Sequence, residues 1–418
     1  MDPKTQELVE LVKRKFGLEE YFLKRYAFYR SVDIYQETQY ALSMEWFPFG
    51  VIEEDEDLNP DGTAVIEIDV QSRRIMRAIF VGDKTFALNG IVFKDLKTDD
   101  MISWIEKETG LVFGKQFYLF REEEGELEFR SGVNGMPTLP PGLIEIQYDS
   151  AGRLTLISVN GTFPPEEIEE HGNIVFSQNE MERMAKKQLK PIMVPSFEQE
   201  CYFTIYGIEE VYIGENGLLP PPSEQPVTAV NELLEWKTPL RLPFERTEWD
   251  LVDEVTAGQA YSYEPSPDAL PILLQEEKKC ILAATDFLRQ QYPQDSEKWL
   301  LKTLYRAKGY IHAELGLKQQ ETQPARKLVL IINAKDFQVI NYVDNQPLLD
   351  ELFSRFKAPE QPAITKEKAF EKLSPYLTVE PVYVFDSLRK QYVPSKKLDC
   401  AYGVDAVNGK VILLNNME

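Results

Sequence analysis

One pattern of apolar and polar positions recurs along the chain: an apolar strand, Asp or Asn, a tight turn, a polar residue, then a second apolar strand. It reads IEIDVQSRRIMRAIF at 66–80, IEIQYDSAGRLTLIS at 144–158, LVLIINAKDFQVINYV at 328–343 and AYGVDAVNGKVILL at 401–414. In three copies an apolar residue stands six positions after the acid or amide: Asp69 to Ile75, Asn333 to Val339 and Asp405 to Val411. In the other copy, Asp149 to Leu154, it stands five positions on. VYIGENGLLP at 211–220 is a weaker copy. Asn-Gly at 408–409 and 216–217 and Ala-Gly at 151–152 supply the positive φ of tight hairpin turns.

A helical apolar face precedes each copy. The faces are Leu8, Leu11, Val12 and Phe16; Met101, Ile102 and Ile105; Met181, Met184, Ala185 and Leu189; Cys280, Ile281, Ala284 and Leu288; and Ala369, Phe370 and Leu373. These spacings predict helices near 5–16, 98–108, 177–189, 276–292 and 365–374. Thr98, Ser177 and Thr365 are candidate N-caps, and Ser177 with Glu180 forms a capping-box pattern. Extended runs such as KQFYLF at 115–120, CYFTIY at 201–206 and EPVYVF at 380–385 lie between helix and hairpin. The expected fold class is therefore α+β, in tandem units of one helix packed on a small antiparallel β-sheet. A unit of roughly 50 residues buries little core, so neighbours should pair. The expected division is a first pair of units at 1–164, a weaker third unit with a proline-rich connecting region at 165–270, and a second pair at 271–418. LPPPSEQP at 219–226 is the expected boundary, whereas PTLPPG at 137–142 reads as a turn between strands. The stretch 227–270, with Trp236 and Trp249, lacks periodicity and reads as a connection covering exposed core.

Charge narrows the partners. There are 46 basic and 69 acidic residues, a net −23, which repels phosphate backbones and anionic lipid. The expectation is a protein or peptide partner of basic character, with no nucleic acid and no membrane. Cys201, Cys280 and Cys400 are odd in number and far apart, with no disulfide framework. The N-terminus shows no apolar h-region after a basic start, and no run of apolar residues could span a bilayer. The sequence thus reads as cytoplasmic.

The C-terminal ITKEKAFEKLSPYLTVEPVYVF…KKLDCAYGVDAVNGKVILL resembles the YcdB/YcdC repeated-domain family of Bacillus-type bacteria, within the PepSY-like superfamily. FRSGVNGMPTLPPGLIEIQYDSAGRLTLIS at 129–158 is similar to that family's F-x-R-x-x-N-G-x-P strand followed by the same hairpin. The resemblance implies small cystatin-like helix-on-sheet modules and no particular chemistry. PepSY domains elsewhere are suggested inhibitors or chaperones of proteases.

Chemistry-bearing motifs are sparse. His171 follows EEIEE and reads as solvated; His312, in YIHAEL, reads as a hydrogen-bonded structural residue. No GxSxG, GxxxxGK[ST] or GxGxxG is present. In DLNPDG, residues Asp57, Asn59, Asp61 and Gly62 match the first half of a calcium loop, but Ile68 stands where a bidentate Glu belongs. No catalytic, cofactor or metal residue is assigned, and no cofactor is expected. Aromatics crowd 21–49; they read mainly as strand core, with Tyr26, Tyr29, Tyr35 and Trp46 as the candidate partner surface. The function expected is a non-catalytic binding or regulatory protein. Its rivals are a carboxylate-dependent hydrolase without a linear motif, and a structural or assembly protein such as one of a spore.

Overall fold

The computed structural model describes residues 1–51, 58–168, 177–196, 200–215, 217–223, 226–249, 254–319 and 325–414. Among these the chain is mixed α and β, with seven α-helices and antiparallel sheets.

The first unit runs α1 (Pro3–Phe16), β1 (Tyr21–Val32), β2 (Thr38–Pro48), β3 (Ala64–Asp69) and β4 (Ile75–Phe80). The second runs α2 (Thr98–Thr109), β5 (Phe117–Glu123), β6 (Glu126–Val133), β7 (Met136–Leu139), β8 (Gly142–Tyr148) and β9 (Leu154–Gly161). Their last strands, β4 and β9, pair antiparallel. The two units thereby form one eight-stranded layer, β1-β2-β3-β4-β9-β8-β6-β5. Helices α1 and α2 cover one face of it. Leu8, Val12 and Phe16 of α1 and Met101 and Ile105 of α2 meet Leu42, Met44, Ile66 and Ile144 from alternate strand positions. Asp2 caps α1, and Gly17, at φ 65, ends it by returning its N–H to Lys13. Buried Glu108 of α2 takes the Lys15 ammonium of α1, which ties the helices together.

The third unit is α3 (Gln178–Gln188), β10 (Leu189–Ser196), β11 (Cys201–Ile208), β12 (Val211–Gly214) and β13 (Gly217–Leu219). After it come β14 (Val227–Leu233) and α4 (Ala257–Ser262). The fourth unit is α5 (Leu274–Gln291), β15 (Trp299–Ala307), β16 (Tyr310–Leu317), β17 (Lys327–Asn333) and β18 (Val339–Asp344). Then follow α6 (Gln346–Arg355) and the fifth unit: α7 (Lys366–Leu373), β19 (Thr378–Asp386), β20 (Gln391–Asp399), β21 (Tyr402–Asp405) and β22 (Val411–Leu413). Ser177 and Glu180 form the expected capping box of α3. Thr98 is not a cap: it is the first residue of α2, and its hydroxyl bonds Glu122.

The recurring hairpin has one geometry. The N–H of Asp69, Asn333 and Asp405 donates to the carbonyl five residues on, and its own carbonyl accepts from the N–H four residues on. That fourth residue has positive φ: Arg73, Phe337 and Gly409. In the shorter copy Gly152, three after Asp149, takes this position. Glycine is thus dispensable in two copies, where the acid or amide side chain also accepts from the turn, as Asp69 does from Ser72.

The pairing of units corrects the expected division. The third unit pairs with the fifth, and the two exchange hairpins. β11 lies beside β21, with Tyr206 opposite Val404, while β20 lies beside β12, with Leu398 opposite Val211. The connectors explain this. Glu209–Glu210 and Cys400–Ala401 lack the Gly or Asn that a two-residue hairpin turn requires, so the chain runs on into the neighbouring sheet. Helices α3 and α7 then share one core of Ala185, Leu189, Ala369, Leu373, Leu398 and Val404. β19 joins β7 in parallel, which links this pair to the first layer.

The fourth unit stands on its own five-stranded sheet, opened by β14. Its core holds Arg326 and Asp344 2.7 Å apart, with Tyr292 donating to Asp344 at 2.9 Å and the guanidinium over the Trp299 ring. Residues 234–249 cross its outer side: Phe244 packs on Phe287, and the Thr247 N–H donates to Ile340. Residues 255–266 reach back to the first layer, where Ala260 enters the core. The aperiodic stretch is therefore a strap over two cores.

Candidate functional site

Sheet edges are where this architecture leaves polar backbone without a strand partner. Most are blunted. β10 carries Pro191 and Pro195; β13 and β22 span three residues each. β14 is broken by a bulge at Asn231, φ 54. β18 is shielded by Thr247, whose carbonyl also accepts from Asn341. Two longer edges remain among the described residues, β1 and β5, at opposite ends of the eight-stranded layer.

β1 pairs with β2 from Tyr21 opposite Pro48 to Val32 opposite Thr38, with an irregularity that leaves Lys24 unmatched. Its outer side is half covered. Phe28 bridges to Val255, and the Tyr261 ring stands edge-on to Phe28 at 5.7 Å. Beyond it, the Tyr40 hydroxyl donates to Glu264 at 2.6 Å, and the Ser266 N–H donates to Thr38 at 2.8 Å. Among the described residues no strand lies beside Tyr21–Ala27, which forms an open rim. Phe22, Lys24, Arg25, Tyr26 and Ala27 are exposed along it. Phe22 stacks on Phe49 at 5.8 Å, and Arg25 reaches Glu45 at 2.7 Å. The strand itself carries Lys24, Arg25 and Arg30 and no acid.

The four aromatics singled out in the sequence part company here. Tyr26 lies on the open rim, and Tyr29 is exposed beyond the Val255 bridge. Tyr35 sits at the β1–β2 tip, edge-on to Phe385 at 5.0 Å, and its carbonyl accepts from Lys390 at 3.2 Å. Burial, with Asp33 and Glu37 beside it, pushes its phenol up. It joins parts of this chain rather than facing outward. Trp46 is 2% exposed, because strand alternation puts it on the helix side with Leu42 and Met44; its place on a partner surface is corrected. Phe22 joins Tyr26 on the rim, and nothing in a sequence marks which strand of a sheet is terminal.

His312 lies in β16 against the Tyr305 ring at 4.9 Å, and burial lowers its pKa. Burial pushes the Cys280 thiol up to about 12, away from a reactive thiolate. Burial works to raise Asp149, Glu210, Glu276 and Asp344, yet hydrogen bonds and nearby cations hold all four below the ordinary range. A cleft of about 520 Å³ between α5, Phe244 and the β17–β18 turn is lined by Lys279, Lys335 and Phe337 and by the carboxylates Glu245, Asp286 and Asp336. Among the described residues no three metal-ligating side chains converge. His171 and Asp57 lie outside the described residues; Asp61 is held by Lys84. No helix among the described residues is long and apolar enough to cross a membrane.

No family model matches the chain, and no curated protein matches it. Among solved structures it is similar to the Bacillus megaterium YpeB C-terminal domain, at 8% identity and a TM-score of 0.24, over 50% of this chain and 89% of that one. At that score the likeness carries no argument.

Proposed function

We propose that the chain is a non-catalytic binding protein that accepts an extended protein segment as an added strand along Tyr21–Ala27 of β1. The observation that carries this reading is the open rim itself, the stretch of long edge strand that neither the strap nor a proline blunts. Seven residues turn about half of their N–H and C=O groups outward. A docked strand would form roughly six hydrogen bonds, each worth about 0.5–1.5 kcal/mol net. Phe22 and Tyr26 supply apolar contacts on the two sides of the strand. The repeated helix-then-hairpin order supports the PepSY-like relation and, with it, a regulatory rather than catalytic role.

The net charge of −23 favours a segment of basic character. The test is a fluorescence-anisotropy titration with an octapeptide alternating Lys and Val, against a counterpart with proline at alternate positions. Saturable binding of the Lys–Val peptide, weakened about tenfold or more by Phe22→Ala with Tyr26→Ala, is the expected result. Equal binding of both peptides, or indifference to the substitutions, would overturn the reading.

A further inference from the structure

In three units the recurring hairpin turn is tied to its surroundings. Arg73 of the β3–β4 turn reaches Glu7 of α1 at 3.6 Å. Gly152 of the β8–β9 turn accepts from the Phe93 N–H at 2.8 Å. Lys372 of α7 donates to the Gly409 carbonyl at 2.7 Å. In the fourth unit, turn and helix meet through the Lys279 ammonium, 4.5 Å from the centre of the Phe337 ring. Pro243–Glu245 of the strap add a further wall, and the cleft of about 520 Å³ is what remains between the three. That volume falls in the range of small-molecule sites, about 300–1,000 Å³.

The walls combine an apolar body with charges of both signs. Phe244 and Phe287, with ring centres 4.9 Å apart, line it together with Phe337 and Leu282. Phe337 has φ 61, at the turn position that the other copies give to Arg73, Gly152 and Gly409. A bulky residue holds positive φ against strain, and such strain persists where the side chain is needed in place. Its ring packs on the core of the unit and also lines the cleft. Two of the lining carboxylates are engaged: Asp286 by Arg289 at 2.7 Å, and one oxygen of Asp336 by the Gln338 N–H at 3.0 Å. Glu245 on the strap and Lys335 on the turn are different. Neither side chain makes an ion pair or hydrogen bond with a described residue.

We infer that this cleft binds a small zwitterion with an aromatic or large aliphatic side chain, the chemistry of a free α-amino acid. The side chain lies among Phe244, Phe287 and Phe337, the ammonium faces Glu245, and the carboxylate faces Lys335. A simple anion would meet three carboxylates, and a simple cation two lysines; a zwitterion answers both signs at once. Being neutral overall, it is not repelled by the net −23 of the chain. The cleft belongs to a core separate from that of the β1 rim, so this inference stands or falls apart from strand addition.

Isothermal titration calorimetry at neutral pH tests it with four probes: phenylalanine, phenylethylamine, phenylpropionate and alanine. Phenylalanine is expected to saturate with a Kd on the order of 1 mM or below, and the other three to bind about tenfold or more weakly. Lys335→Gln should weaken phenylalanine about tenfold and leave phenylethylamine unchanged. Glu245→Gln should weaken phenylalanine equally and leave phenylpropionate unchanged. Both residues are exposed, so both variants should keep the wild-type circular dichroism and melting temperature. Phe337→Gly, which suits the positive φ of the turn, should weaken every probe that carries a ring. No saturation by phenylalanine up to about 10 mM overturns the inference. So does equal affinity for either singly charged probe, or indifference of phenylalanine binding to Lys335→Gln and Glu245→Gln.

Discussion

The exchange of hairpins between the third and fifth units makes a prediction that chain order alone would not. Leu373 of α7 is fully buried in the core that α3 and α7 share. Leu373→Ala removes three carbons, about 2.4 kcal/mol at roughly 0.8 per methylene, and the cavity adds to this, for about 2–5 kcal/mol in all. The loss should spread to α3 and β11, which pack on the same core although they lie far upstream. The fourth unit, which lies between them in sequence, has a separate core around Phe287 and Trp299 and should be untouched. Native-state hydrogen exchange with peptide resolution reads this out. Faster exchange is expected in 178–188, 201–208 and 402–405, with 299–317 unchanged. Loosening of the fourth unit with the third intact would refute the exchanged topology.

Cleavage within 219–226 should not release the two flanks, because β12 and β11, before the cut, pair with β20 and β21, after it; nicked chain should co-elute on size exclusion until denaturant is added. Asp344→Ala removes the part-buried carboxylate that Arg326 and Tyr292 both bond and should cost about 3–5 kcal/mol, measured by urea unfolding of the fourth unit, whereas loss of an exposed pair such as Lys97–Asp95 should cost under about 1 kcal/mol. Burial holds His312 neutral, with a pKa below its ordinary 6.5, so its contribution is complete above pH 6.5 and is lost as pH falls from there toward the lowered value. His312→Phe should flatten the stability slope in that window, and an unchanged slope in thermal melts would contradict this.

The units are legible in the sequence because their signals are local. Apolar residues at helical spacing before each hairpin place α1, α2, α3, α5 and α7 within two or three residues of their ends. The Asp or Asn that opens each hairpin turn marks β3, β8, β17 and β21, because its side chain caps a turn whose geometry needs it. Pairing between units is not legible. Repeats with similar strands are interchangeable partners, and only the chemistry of Glu209–Glu210 and Cys400–Ala401 hints that the chain fails to turn back. The rim is hidden for the same reason. Tyr26 and Trp46 look alike in a run of aromatics, and only register and the place of β1 at the end of the layer expose the first and bury the second.

Hydrogen exchange on the intact chain saturated with the Lys–Val octapeptide tests strand addition at β1 most directly. The account predicts new protection confined to amides in 21–27, absent with a proline-containing peptide of the same composition otherwise. Protection in the helices, at β5 or β18, or nowhere, would contradict it.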